Sequence, residues 1–102
     1  MKNKEDYFKI LRKIHKSPSR SQRGLASDLG ISLGKLNYCM KALQEKGLIK
    51  IKNFKKNPKK INYLYLLTPK GISKKTTLTL NFMKNKMKEY EELKKEIKKE
   101  VK

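Results

Sequence analysis

Between Gln22 and Lys41 the residue types that sterics restrict fall in one order. Ala26 is small, Gly30 follows four positions later, and Leu25, Leu29, Ile31, Leu36 and Cys39 take the surrounding positions that face inward. A small side chain at Ala26 lets two helices approach closely, and Gly30 permits the sharp turn between them. Ser21 suits the cap of a helix over 22–29. Ser32 suits the cap of a second helix, whose inner face is marked by Leu33, Leu36, Met40 and Leu43 and which Gly47 closes. The stretch reads as a helix-turn-helix.

The flanks extend this pattern into a whole domain. Tyr7, Phe8, Leu11 and Ile14 recur at helical spacing behind the acidic pair Glu5 and Asp6, which predicts a first helix over about 4–16 that Ser17-Pro18-Ser19 ends. His15 is expected on the surface of its last turn. From Leu48 the period changes to alternation, with Leu48, Lys50 and Lys52 on one side and Ile49 and Ile51 on the other. FKKNPKK, residues 54–60, reads as the basic tip of a hairpin, and Ile61 to Leu67 as its second strand. Thr68-Pro69 starts a last helix, with a weak point over 71–79 where Gly71, Thr76, Thr77 and Thr79 lower helix propensity. The fold class expected is mainly α with a small β-hairpin: a winged helix-turn-helix DNA-binding domain over 1–72, followed by a long C-terminal dimerisation helix over 73–102.

Charge points to the partner. The 102 residues carry 28 Lys plus Arg against 9 Asp plus Glu, a net charge of +19. Of these, 20 basic and 4 acidic residues lie in 1–80, against 8 and 5 in 81–102. The excess therefore sits with the helix-turn-helix and suits a polyanionic partner, nucleic acid or an anionic membrane, through counterion release and long-range steering; with the helix-turn-helix beside it, double-stranded DNA is the partner expected. One cysteine and one histidine leave no disulfide, no Cys-rich zinc site and no His pair, so no metal or cofactor is expected. The residues offer no Cys-His or Ser-His-Asp set and no glycine loop for phosphate, so no catalytic residue and no enzyme is expected. No stretch is long and apolar enough for a membrane span and Met1 to Lys16 lacks a signal-peptide core, which makes a cytoplasmic location the expectation.

Turning 100° per residue about the recognition helix from a buried Leu36 puts Gly34, Tyr38, Lys41 and Glu45 on the opposite face, with Lys35 and Asn37 beside them. That face suits the major groove: Lys donates to guanine, Asn bonds adenine bidentately, Tyr meets a phosphate or a thymine methyl, and Gly34 lets the backbone approach. Ser32, at the helix N-terminus, suits a phosphate. Tyr38 leaning onto the core and Asn37 reaching a phosphate are the alternatives, and Cys39 reads as a small core residue. Arg20, Gln22 and Arg23 stand where the first helix of the motif crosses the DNA backbone, and the wing lysines Lys52, Lys55, Lys56, Lys59 and Lys60 can track phosphates.

Leu80, Met83, Met87, Tyr90, Lys94, Ile97 and Val101 alternate by three and four residues, as the seam of a helix pair does. A homodimer through this helix is expected, with Lys94 moderating its stability. The alternative for the early part is packing against the first helix. Five glutamates in 81–102 oppose a membrane-surface role. The rival function is a nonspecific DNA-architectural module, or a winged helix used for protein or RNA contact.

SQRGLASDLGISLGKLNYCMKALQEKGLIKIKNF at 21–54 and YLYLLTPKGI at 63–72 resemble the MarR-type winged-helix regulators, and within them the short branch associated with exopolysaccharide and capsule gene clusters. SLGKLNYC is the most distinctive part. The resemblance implies a cytoplasmic, dimeric regulator of transcription, with polysaccharide synthesis as its target. The chain is shorter than typical members, with little room for the helices that form their effector pocket, so no small-molecule effector is expected.

Overall fold

The computed structural model describes residues 4–57 and 60–100, with 54–57 and 60–62 described as backbone. Three helices come first: α1 (Lys4–Lys16), α2 (Gln22–Leu29) and α3 (Leu33–Glu45). An antiparallel hairpin of β1 (Ile49–Asn57) and β2 (Lys60–Leu67) follows, and then the long α4 (Pro69–Glu100).

Local chemistry sets these boundaries. The Ser21 hydroxyl accepts from the Gly24 N–H at 3.0 Å and the Ser32 hydroxyl from the Lys35 N–H at 3.1 Å, satisfying donors that the first helical turn leaves open. Gly30 and Gly47 stand at φ of 67° and 73°, a backbone region that side chains other than glycine rarely enter. Each terminates its helix with paired backbone bonds, Gly30 N–H to Ser27 O with Ile31 N–H to Ala26 O, and Gly47 N–H to Gln44 O with Leu48 N–H to Leu43 O. The second pair places Leu48 before the strand. It is buried together with Ile49, so the two do not divide between faces as alternation alone suggests.

The core gathers Phe8, Ile10, Leu11 and Ile14 of α1, Leu25 and Ala26 of α2, Leu36, Cys39, Met40 and Leu43 of α3, Leu48, Ile49 and Tyr65 around the hairpin, and Leu78 of α4. Ile10, absent from the helical pattern read in the sequence, is fully buried because α1 packs against α2, α3, β2 and α4 and so is covered on more than one face. Burial of these side chains drives folding, at about 1.5–3 kcal/mol for each large one. The loop before α2 is tied to the hairpin by Tyr65 N–H donating to the Pro18 carbonyl at 2.9 Å.

Two expectations change. Phe54 to Asn57 continues β1 and Lys60 opens β2, so the hairpin is longer than its apolar pattern suggests. Pairing runs from Ile49 with Leu67 out to Asn57 with Lys60, with an irregularity between Lys55 and Asn57. Backbone ladders need no apolar side chains, so lysines hid the strand ends. The tip residues Pro58 and Lys59 lie outside the described residues.

The weak point expected over 71–79 is also absent: α4 is one helix of 32 residues. The hydroxyls of Thr76, Thr77 and Thr79 donate to the carbonyls of Ile72, Ser73 and Lys75, four residues back, and so stay within the helix. Gly71 has a packing reason, since a Cβ there would overlap the backbone carbonyl of Leu48. Thr68 completes this junction. Its hydroxyl accepts from the Gly71 N–H and donates to the Gly47 carbonyl, while its own N–H donates to Leu48 O. The TPKG run thus clamps the start of α4 to the turn between α3 and β1. Leu78 then enters the core and Phe82 meets Phe8 with ring centroids 5.4 Å apart. Beyond them α4 projects, which gives the molecule extents of 70 × 26 × 22 Å.

Candidate nucleic-acid interface

α3 buries Leu36, Cys39, Met40 and Leu43 and exposes Gly34, Asn37, Tyr38 and Lys41. Tyr38 is 67% exposed, which decides against its leaning onto the core. A Cβ built at Gly34 would meet nothing within 4 Å, so no packing requirement of the fold accounts for that glycine. The structure thus brings these four residues onto one open face, with Lys35 at its margin. Lys35 does not extend freely: its ammonium lies 3.2 Å from the Asp6 carboxylate of α1. The Ser32 hydroxyl is used as an acceptor by the Lys35 N–H, which leaves its own proton available to an outside acceptor.

The three residues assigned to the DNA backbone beside α2 part company. Arg20 grips Asp28 through Nε at 3.0 Å and Nη2 at 3.1 Å, with Lys13 3.6 Å from the same carboxylate. Hydrogen bonding to Arg20 holds the Asp28 carboxyl below its ordinary range and raises Arg20 in return. Gln22 is half-buried near the Tyr65 hydroxyl, whose pKa burial raises. Arg23 is exposed on α2. Arg20 therefore ties the loop before α2 to Asp28, which Lys13 of α1 also approaches, and this pairing is one the linear sequence does not signal.

On the wing, Lys52 is exposed on β1. Lys50 is exposed two residues before it, on the same side of the strand, and joins the candidate surface. The sequence alternation already carried that signal. Lys55, Lys56 and Lys60 lie on the ribbon with their side chains outside the described residues, as Lys59 is altogether.

Along α4, Leu80, Met83, Met87, Tyr90 and Ile97 are each more than half exposed, and so is Leu93, which the heptad reading omitted. Lys94 is exposed among them, and Val101 lies outside the described residues. The inward contacts of α4 are made by Leu78 and Phe82, while Met83 borders the groove between α4 and α1. At roughly 100° per residue the stripe from Leu80 to Ile97 lies about 120° round the helix from the Leu78–Phe82 face.

Cys39 is 1% exposed, and burial, assisted by the nearby Asp6 charge, raises its thiol above the ordinary value, so it behaves as a core side chain. Among the described residues no group of His, Cys, Asp and Glu could hold a metal ion, and no helix is long and apolar enough to cross a membrane.

A helix pair meeting at a glycine turn, an open outer face on the second helix and a lysine-bearing hairpin define a winged helix-turn-helix. Residues 8–50 match the family model described as winged helix-turn-helix DNA-binding. The matched segment takes in most of α1, all of α2 and α3, and the start of β1. In fold the chain is similar to Staphylococcus aureus MarR, solved in complex with salicylate and kanamycin, with a TM-score of 0.66 and 23% sequence identity. The match covers 85% of this chain and spans 57% of the length of that one. No curated protein matches the sequence.

Proposed function

We propose that the chain is a sequence-specific transcription regulator that binds double-stranded DNA as a homodimer, with exopolysaccharide or capsule genes as the targets its sequence resemblance points to. The observation that carries the reading is the outer face of α3. Gly34, Asn37, Tyr38 and Lys41 are exposed together on a helix whose opposite face is fully committed to the core. None of the four is needed for packing, and their donors suit base edges in the major groove. Lys50 and Lys52 add phosphate contacts from the wing, which set register without reading sequence.

Dimerisation is supported by the exposed stripe of α4. Contiguous apolar surface of this kind marks an interaction site, and its turn away from the Leu78–Phe82 face lets one helix serve the core and a partner at once. A second copy of the same helix offers the matching heptad spacing. Two recognition helices then read two half-sites, because one short helix contacts too few bases to select a genomic address.

Selection of bound duplexes from a random-sequence pool tests the reading. The expected result is an enriched motif with two-fold symmetry. Salt-dependent binding without enrichment would instead assign the chain to nonspecific DNA architecture, and absence of duplex binding to protein or RNA contact.

A further inference from the structure

Residues 1–80 hold only four carboxylates, and one of them, Asp6, is spent on a residue beside the DNA-reading face. Its Oδ2 lies 3.2 Å from the Lys35 ammonium, within hydrogen-bonding distance. The two partners are unequally placed. Asp6 is in the first turn of α1, its side chain 21% exposed, while the Lys35 side chain is 48% exposed and sits at the flank of α3 that adjoins the open face. The carboxylate is on a short stem anchored to the core helix; the ammonium is on a long flexible one.

We propose that Asp6 is a positioning residue for DNA binding: it holds Lys35 against α1 in the free protein and yields it to a backbone phosphate in the complex. The inference rests on the DNA-binding reading above. A half-exposed ion pair is weak, so a phosphate can replace the carboxylate, but the carboxylate then loses its partner beside a polyanion. Asp6 thereby weakens nonspecific attachment to any duplex while leaving the base-reading residues untouched. Its place in the first turn of α1 gives it a second, favourable role against the helix dipole.

The test is a double-substitution cycle on the full chain: Asp6→Asn, Lys35→Ala and the two combined, with Asp6→Glu as the conservative variant. Affinity for a fluorescently labelled mixed-sequence duplex is measured at fixed low salt, and circular dichroism melting confirms the fold of each. Asp6→Asn is expected to tighten binding roughly two- to fivefold when Lys35 is present and clearly less when it is alanine. Asp6→Glu is expected to bind as the wild type does. Equal tightening in both backgrounds would reduce Asp6 to a general charge effect and overturn the proposal, as would tightening by Asp6→Glu or no effect of Asp6→Asn. Each of these leaves the DNA-binding reading standing; failure of the wild type to bind duplex overturns both.

Discussion

Two glycines show how the same residue type serves opposite ends. Gly34 and Gly71 both lie in the first turn of a helix, where glycine is less favourable than alanine by up to about 1 kcal/mol. At Gly71 the fold explains the residue, since any side chain would strike the Leu48 carbonyl. At Gly34 the fold gives no reason, since the space around it is open. A partner's close approach is then the remaining physical account. Gly34→Ala is therefore expected to raise the thermal midpoint, by an amount corresponding to about 0.5–1 kcal/mol, and to weaken duplex binding. Melting and titration of the same preparation check both signs. Unchanged affinity with the gain in stability would remove Gly34 from the interface.

At the scale of elements, the junction at Thr68–Gly71 decides where α4 leaves the domain. Gly71→Ala adds one methyl group into backbone, which the helix can relieve only by shifting off the turn between α3 and β1. The expected loss is roughly 1–3 kcal/mol, read by denaturant unfolding, although the same change in open space would stabilise. The helices were legible in the sequence because caps and stops are chemical: Ser21, Ser32, Thr68, Gly30 and Gly47 announce themselves by residue type. The hairpin is legible only where its side chains alternate, so Phe54 to Asn57 reads as its tip although it continues β1. Contacts between distant residues were not legible at all. Nothing in the order of residues pairs Asp6 with Lys35 or Arg20 with Asp28, or brings Gln22 near Tyr65. Hence the outer face of α3 could be read from periodicity, whereas the fate of the basic residues beside α2 could not.

The whole molecule is a small core with a long arm, and its two exposed surfaces should act together. Replacing Met87 and Ile97 by Asp puts charges into the apolar stripe of α4, well away from the core. Sedimentation is expected to shift toward monomer while circular dichroism stays near native, and affinity to fall steeply for a symmetric site but little for a half-site. A dimer of undiminished affinity would place the subunit contact elsewhere. The central claim, however, is that α3 reads base edges, and it is tested most directly by discrimination. Affinities of the wild type, Asn37→Ala and Lys41→Ala are measured for a selected duplex and a mixed-sequence duplex at one salt concentration. The account predicts that each substitution weakens the selected duplex by about 1–3 kcal/mol and the mixed one far less, so that the ratio collapses. Equal losses on both duplexes would mean that Asn37 and Lys41 touch only phosphates, and would contradict it.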